Sequence, residues 1–184
     1  VGYQKVSLKR DSLLRNPSLL QLDFNALAQG YTVDVIAAFL DSMGLQNYMV
    51  EVGGELKAKG KNANGKNWRI GIDKPNPEID DNNRFQTVIE LPYKALATSG
   101  NYRNFYVENG EKYAHTIDPE TGYPVKHKLL SATVVTEDCM LADAYATAFM
   151  VMGVKETKRF LKINSEIEAY LVYTNNQDEW VTYI

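Results

Sequence analysis

The sequence predicts an α+β domain with mostly antiparallel sheets, two long helices and one short helix. About eight to ten segments show the two-residue alternation that is typical of strands. They follow one another mostly in hairpin order rather than in strict β-α-β alternation, which favours the α+β class. The chain has 184 residues, so a single domain with a full hydrophobic core is expected over residues 1–184.

The first third of the chain is predicted to contain two strands and the first long helix. Residues 3–8 alternate in character as a half-buried strand does, and residues 15–18 break the pattern. Residues 20–24 are predicted to form a short strand that leads into the helix. This helix is expected to begin between Asn25 and Gly30 and to end at Gly44. Its apolar residues recur at helical spacing: Val33, Ile36, Ala37, Leu40 and Met43.

Four strands are predicted in the middle of the chain. The first ends at Gly53-Gly54, where the backbone must turn or come close to another group, and the second continues across that turn. An exposed loop is expected over residues 75–83, before the last of the four. The strands are expected at residues 47–52, 55–60, 68–72 and 85–91.

The last part of the chain is predicted to pass through turns and hairpins into the second long helix. Residues 97–102 are rich in small side chains and are interpreted as a turn, followed by a hairpin over residues 102–116. Asp118 to Gly122 has Pro at its second position, which is typical of a tight turn. The remaining elements are a strand at residues 131–136, a long helix that Gly153 ends, a short amphipathic helix at residues 155–163, and a hairpin of residues 167–173 and 180–184.

Composition and charge argue against several functions. The net charge of −3 comes with mixed charges of both signs, so the basic face of a general nucleic-acid binder is missing. The single Cys139 excludes an internal disulfide and a cysteine-based zinc site, and a chain with only His115 and His127 does not favour a histidine-rich metal site. No apolar run reaches the ~18 residues of a membrane span. Because the start at Val1 already has strand character, we expect a trimmed chain whose export signal is missing.

The stretch from Leu141 to Phe149 is the most informative for chemistry. Asp143 and Thr147 are four residues apart, so they lie on one face of a helix. Alanines at positions 142, 144, 146 and 148 let another segment or a ligand come close. Oxygen ligands on such a face suit a hard cation such as Mg2+. The alternative is an alanine-rich helix packed tightly in a core, with Asp143 at its edge.

Two other stretches carry candidate site residues. The start of the first helix, residues 25–30, presents N–H groups that could receive a phosphate, or Asn25 serves there as an ordinary cap. His115 lies beside a turn, where it could contact a ligand or act as an acid or base, or make a structural hydrogen bond. Ser99 lacks the G-x-S-x-G surroundings of a nucleophile, and neither a Walker loop nor G-x-G-x-x-G is present.

Taken together, six stretches resemble the FAD:protein FMN transferases, the ApbE family once called thiamine biosynthesis lipoproteins. They follow the family's order and spacing over nearly the whole chain. The chain differs from the usual pattern at Asn25, where members carry Gly, and at Gln29, where they carry Lys. The six stretches are residues 22–31 (LDFNALAQGY), 52–55 (VGGE), 68–72 (WRIGI), 97–102 (ATSGNY), 115–124 (HTIDPETGYP) and 142–148 (ADAYATA).

The resemblance implies a Mg2+ site on the alanine-rich helix. Its ligands would be the Asp143 carboxylate, the Thr147 side chain and the backbone carbonyl of Ala26, helped by the carbonyl of Ala146. This agrees with the separate interpretation of the helix face from its residue types.

The resemblance also implies a binding site for FAD as substrate. Contacts with FAD are expected at Asp23 and Gln29 and near His115 and Ile117. Two residues take the catalytic roles: Asp143 holds the metal, and His115 orients phosphate or moves a proton.

In the implied reaction, a threonine or serine hydroxyl of an acceptor protein attacks the FMN-side phosphorus of FAD, and AMP is released. Positioning and charge neutralisation carry such a transfer. Two alternatives stay open: a non-catalytic FAD-binding protein, and a Mg2+-dependent FAD pyrophosphatase that yields FMN and AMP. Family members also have an N-terminal portion, missing here, and a lipid anchor. A bacterial periplasmic or other cell-envelope location is therefore expected, with the membrane contacted only through that anchor.

Overall fold

The computed structural model describes residues 2–15, 20–75, 83–101, 105–108, 111–114 and 116–184. These residues form two α-helices, α1 (Asn25–Ser42) and α2 (Cys139–Leu161), and a 3-10 turn at Tyr3–Lys5. They also form twelve strands: β1 (Val6–Lys9), β2 (Ser12–Arg15), β3 (Tyr48–Val52), β4 (Glu55–Lys59), β5 (Trp68–Asp73), β6 (Phe85–Leu91), β7 (Ala95–Gly100), β8 (Phe105–Glu108), β9 (Glu111–Ala114), β10 (Leu129–Thr136), β11 (Glu168–Thr174) and β12 (Trp180–Tyr183).

Six of the described strands form one antiparallel sheet, in the order β12-β11-β10-β7-β4-β3. β7 lies inside this sheet, where Ala97 is the partner of Val134 in β10 and Leu96 is the partner of Leu56 in β4. The other described strands form three two-stranded hairpins, β1-β2, β5-β6 and β8-β9. The predicted α+β class with mostly antiparallel sheets is confirmed.

The helices cover one face of the six-stranded sheet, and the β5-β6 hairpin covers the other. On the helix side, Ala97 and Ala132 leave room for α2, and Phe149 packs against them. On the hairpin side, Leu96 packs with Leu91 of β6. Because successive residues of a strand point to opposite faces, the neighbours Leu96 and Ala97 contribute to two different cores.

Two segments differ from the predicted elements. Residues 97–102, predicted as a turn, continue β7 as far as Gly100 in the middle of the sheet. Their side chains are small because α2 packs over the strand, and the same composition would suit a tight turn. Residues 20–24, predicted as a strand, have no regular structure, and Leu22 and Phe24 are exposed. Apolar residues alone do not make a strand when no neighbouring strand pairs with them.

Gly153 divides α2 into two helical segments, as predicted. Its φ of 72° and ψ of 175° are not helical, yet the element continues to Leu161. The predicted long and short helices are therefore both present, and they follow each other across a kink at Gly153. His127 lies at the kink: its Nδ1 accepts a hydrogen bond from the Leu129 N–H at 3.3 Å, so its Nε2 donates to the carbonyl of Met150 at 2.7 Å.

β2, which pairs with β1, has no counterpart among the predicted elements. The other described elements agree with prediction to within a few residues. The first helix begins at Asn25 and ends just before Gly44. The first predicted strand begins with a 3-10 turn and becomes β1 only at Val6. Most of the loop predicted at residues 75–83 lies outside the described residues, as does the turn between β8 and β9. Neither α1 nor α2, the described helices, is long and apolar enough to cross a membrane.

The start of α2 is capped by a residue of α1. Asp34 accepts hydrogen bonds from the N–H groups of Cys139 at 3.1 Å and Met140 at 2.9 Å. Asp138, at the N-cap position itself, makes no side-chain cap bond. Lys57 of β4 lies 2.8 Å from the same carboxylate of Asp34. The two helices and the sheet are thus joined at one partly buried polar contact.

We expect Asp34→Ala to lower the free energy of unfolding by about 2–3 kcal/mol, because two helix N–H groups lose their acceptor and Lys57 loses its partner. Glu156→Ala is the control, since Glu156 makes an exposed ion pair with Arg159 on the surface of α2. The control should cost about 1 kcal/mol or less. Urea unfolding measures both variants, and equal costs would show that the cap does not stabilise the fold.

Candidate functional site

A polar cleft of about 750 Å³ opens where α1, α2, the β3-β4 turn and the β5-β6 hairpin meet. All four elements contribute polar or glycine residues to its wall. The main contributors are Asn25 and Gln29 from α1, Asp143 and Thr147 from α2, Gly53, Gly54 and Glu55 from the β3-β4 turn, and Arg69 and Arg84 from the hairpin. The predicted face of α2 therefore borders a cavity and is not closed inside a core.

Asp143 is a buried carboxylate of this cleft, with 5% of its surface exposed. Its Oδ2 accepts a hydrogen bond from the backbone N–H of Gly30 at 3.1 Å. The bond is possible because α1 and α2 nearly touch: a Cβ added to Gly30 would lie 2.4 Å from the carbonyl oxygen of Cys139. The backbone of one helix thus holds the carboxylate of the other in position.

Thr147 follows Asp143 by one helical turn and lines the same cleft. Its Oγ1 shares a hydrogen bond with Oγ of Ser99 at 3.2 Å. Ser99 belongs to β7, which runs below α2, so the sheet orients the Thr147 hydroxyl. A carboxylate and a hydroxyl are therefore fixed side by side on the wall of the cleft.

The cleft has two buried carboxyl groups at its inner wall, those of Asp143 and Glu55. Burial raises the pKa of Asp143, and the Gly30 N–H partly offsets this effect. Burial also raises the pKa of Glu55 to about 7; a hydrogen bond from its own backbone N–H offsets part of this rise, and the charges of Asp143 and Glu51 add to it. Each carboxylate is therefore less stable as an anion than it would be in water, and a bound cation would relieve that cost.

Without a bound cation, the free energy of unfolding should fall as the pH rises from about 4.5 to 7. The folded pKa of Glu55, about 7, lies above the ordinary value of 4.5. In this window the native state keeps a proton that the unfolded chain has released, so rising pH favours unfolding until the folded pKa is passed. The expected loss is about 2–3 kcal/mol, and Asp143 acts in the same direction.

Chemical denaturation in the presence of a chelator would measure this pH dependence. Glu55→Gln removes the titrating group and should flatten most of the slope. The same slope in the variant would assign the titration to another group.

The turn between β3 and β4 brings Gln29 to the cleft. Gly53 has a φ of +68°, which favours glycine, and a Cβ placed there would lie 1.9 Å from Nε2 of Gln29. The Gln29 amide therefore lies directly against the backbone of the turn. Only glycine at position 53 leaves room for this contact.

The structure brings some of the predicted site residues together and leaves others apart. Asp143, Thr147 and Gln29 line the cleft. Ala26 lies in the first turn of α1, the end of the helix from which Asn25 and Gln29 reach the cleft. Ala146 is fully buried, and its side chain packs in the core beside the sheet. Only its backbone carbonyl could therefore act as a ligand of a cation.

Two other predicted residues do not line the described wall of the cleft. Asp23 is exposed, and its carboxylate accepts a hydrogen bond from the Asn25 N–H at 2.7 Å. The side chain that accepts from the first backbone N–H of α1 is therefore that of Asp23 and not that of Asn25. Ile117 is 47% exposed and forms a β-bridge with Pro124. His115 lies outside the described residues, so its predicted role stays a prediction.

Three residues of the site are not among the residues predicted to bind the metal or FAD or to act in catalysis. Gly30 permits the helix contact, Ser99 orients Thr147, and Glu55 is a buried carboxylate of the wall. The available signal for Glu55 is a carboxylate directly after a Gly-Gly turn. Ser99 and Gly30 lie within the stretches that resemble the family, but they act through residues far away in the chain, so their parts cannot be predicted from local spacing.

The donor set fits a hard cation. Within the described residues, no three His, Cys, Asp or Glu side chains are grouped so that they could share a metal ion. A cation here would therefore depend on the Asp143 carboxylate together with hydroxyl and carbonyl oxygens. That combination suits Mg2+, which usually takes one or two carboxylates and completes its shell with water or phosphate oxygens.

The fold and the site together define an α+β protein with an oxygen-lined cleft between a helix pair and an antiparallel hairpin. Residues 1–171 match the sequence model of a family described as "ApbE family". The chain belongs to this family.

Relatives with curated names extend the comparison. A protein named FAD:protein FMN transferase from Vibrio cholerae serotype O1 is 43% identical to this chain, and the match covers 83% of this chain and 45% of the relative. A protein of the same name from Haemophilus influenzae is 37% identical, and the match covers 96% of this chain and 51% of the relative. In Escherichia coli K12 the identity is 34%, over 90% and 46%. The chain thus spans about half the length of the curated relatives it matches.

Solved structures agree with this assignment. The structure called "Flavin Transferase ApbE from Vibrio cholerae" superposes with a TM-score of 0.86 at 37% identity, over 99% of this chain and 56% of that one. The apo form of a flavinyl transferase ApbE from Pseudomonas stutzeri superposes with a TM-score of 0.84 at 38% identity, over 99% of this chain and 54% of that one.

Proposed function

We propose that this chain carries the cation-binding and FAD-binding cleft of an FAD:protein FMN transferase. The activity is Mg2+-dependent transfer of FMN from FAD to a threonine or serine hydroxyl of an acceptor protein, with release of AMP. The names of the relatives support the substrate and the reaction. The observation that carries the proposal is the cleft itself, in which Asp143 and Thr147 of α2 meet Gln29 of α1.

The reaction exchanges one phosphorus–oxygen bond for another. The acceptor hydroxyl oxygen bonds to the FMN-side phosphorus, the bond from that phosphorus to the AMP oxygen breaks, and the hydroxyl proton is taken up by a base. Bound Mg2+ would neutralise the charge of the pyrophosphate oxygens. The protein's own contribution is positioning, because phosphoryl transfer needs little covalent participation from the enzyme.

The proposed cation would be bound by two side chains and two backbone carbonyl groups. Asp143, held by the Gly30 N–H at 3.1 Å, and Thr147, held by Ser99 at 3.2 Å, would be the side-chain ligands of the cation. The carbonyl oxygens of Ala26 and Ala146 would complete the protein's share of the ligands.

The FAD contacts belong to residues around the same cleft. Gln29 would contact FAD from α1 through its side-chain amide, which lies on the Gly53 backbone. Asp23 and Ile117 would contact parts of FAD that extend beyond the cleft, and His115 would orient phosphate or move the proton.

The test is an assay with FAD, Mg2+ and an acceptor peptide that contains a threonine. AMP release and flavin-labelled peptide are expected, and both should disappear when a chelator removes Mg2+. Thr147→Val keeps the shape of the side chain but removes the hydroxyl, and should reduce the rate by about 10-fold or more. Thr182→Val, at an exposed position of β12, is the matched control and should leave the rate unchanged.

Other outcomes would contradict the transferase proposal in different ways. AMP release that needs no acceptor would indicate an FAD pyrophosphatase. Bound but unchanged FAD would indicate a flavin-binding protein without catalysis. The family resemblance also supports a location in the bacterial cell envelope, which fractionation of cells that express the protein would test.

A further inference from the structure

One carboxylate oxygen of the cleft has no partner among the described residues. Glu55 begins β4 directly after the Gly53-Gly54 turn and is only 7% exposed. Its Oε2 is buried and makes no hydrogen bond. In the described part of the chain, Ser131 and Thr157 also have a buried hydroxyl without a partner, but neither lines the cleft. Glu55 is therefore the unsatisfied group that faces the proposed ligand.

Neighbouring groups of the protein do not satisfy this oxygen. A Cβ added to Gly53 would lie 1.9 Å from Nε2 of Gln29 and 3.5 Å from Oε2 of Glu55, yet the amide does not donate to the carboxylate. Lys57, two residues further along β4, is paired with Asp34. Above Gly54, a Cβ would meet nothing within 4 Å, so the space beside the turn is open.

A buried carboxylate oxygen without a donor is strongly unfavourable, and buried polar groups in native proteins nearly always have a partner. An uncharged O–H donor would satisfy Glu55 without competing for the cation at Asp143. Carboxylates commonly accept hydrogen bonds from sugar hydroxyls in nucleotide sites. FAD carries such hydroxyls on both sides of its pyrophosphate, on the ribityl chain and on the adenosine ribose.

We propose that Glu55 is a substrate-binding residue whose Oε2 accepts a hydrogen bond from a hydroxyl that flanks the pyrophosphate of FAD. The inference rests on the proposed function of the cleft. FAD would then be contacted from the β3-β4 turn as well as from the two helices that would bind the cation. This hydrogen bond also gives a partner to the one buried carboxylate oxygen of the cleft that lacks a hydrogen bond among the described residues.

The test compares the dissociation constants of FAD, FMN and AMP in the presence of Mg2+ for the wild type, Glu55→Met and Glu55→Gln. Glu55→Met should weaken FAD binding by about 10- to 100-fold, the range for a hydrogen bond to a charged group. Glu55→Gln keeps an oxygen acceptor and should lose less. Glu166→Met, at an exposed position after α2, is the matched control and should bind FAD as the wild type does.

FMN and AMP distinguish the two sources of the hydroxyl. A ribityl donor predicts that Glu55→Met weakens FMN binding and leaves AMP binding unchanged, and a ribose donor predicts the reverse. Thermal unfolding provides a readout without ligand: Glu55→Met should be at least as stable as the wild type, because a buried polar atom without a hydrogen-bond partner has been removed. Weaker binding by a more stable protein cannot result from misfolding.

Two results would overturn the inference. One is wild-type affinity for FAD in Glu55→Met. The other is loss of Mg2+ binding by Glu55→Met in the absence of FAD, which would make Glu55 a cation ligand. If the wild type itself does not bind FAD, the proposed function fails together with this inference. If the wild type binds FAD and Glu55→Met binds it equally well, only the assignment of Glu55 fails.

Discussion

Asp143→Asn is expected to reduce Mg2+ affinity and Mg2+-dependent transfer by at least about 100-fold, because even substitutions behind a metal ligand cost 10- to 100-fold. The substitution removes the charge but keeps an oxygen that can accept the Gly30 hydrogen bond. In a chelator the variant should be as stable as the wild type or more stable, since burial raises the pKa of Asp143 and so disfavours its ionised form.

A thermal shift measures the Mg2+ effect directly. At a Mg2+ concentration of about 100 times Kd, binding adds about 2.7 kcal/mol to the native state. For a domain of this size the Tm should rise by about 5–10 °C in the wild type and not in Asp143→Asn. Asp178→Asn is the control, because the Asp178 side chain is 88% exposed. A full Mg2+ shift in Asp143→Asn would contradict the cation site.

Gly30→Ala is expected to lower the free energy of unfolding by about 3 kcal/mol, at the upper end of the range for overpacked sites. The added Cβ would lie 2.4 Å from the carbonyl oxygen of Cys139 and 2.8 Å from Cα of Met140. These are backbone atoms, so the helices must separate rather than a side chain rotate. The Tm should fall by about 6–12 °C.

Ala38→Ser is the matched control for Gly30→Ala, because it also adds one heavy atom to α1 but at an exposed position. It should cost about 0.5 kcal/mol or less. Separation of the helices would also break the bond from Gly30 to Asp143, so Gly30→Ala should weaken Mg2+ binding as well. Equal stability of the two variants would show that α1 and α2 are not in close contact.

Features with a local cause can be predicted from the sequence. The limits of α1 follow from its apolar spacing and from Gly44, and the β3-β4 hairpin follows from Gly53-Gly54. Asp143 and Thr147 share one face through helical geometry alone, and both line the cleft.

Features with a distant cause cannot be predicted in this way. Gly30 and Asp143 are 113 residues apart in the chain, and Asp34 caps a helix that begins 105 residues later. β7 illustrates the same difficulty for secondary structure. Its small residues suit a turn as well as a strand, and only the position of α2 above it decides between them. Glu55 becomes informative only when its burial and lack of a partner are known.

The Gly30 contact and the Asp34 cap have a joint consequence for ligand selectivity. They fix α1 and α2 to each other, so the helix side of the cleft cannot widen without loss of stability. The β5-β6 hairpin pairs with no other described strand, so it is the adjustable side. Substitutions of cleft-lining hairpin residues such as Arg69, as distinct from its core residue Leu91, should therefore change which ligands are accommodated more than they change folding. Substitutions between the helices should do the opposite.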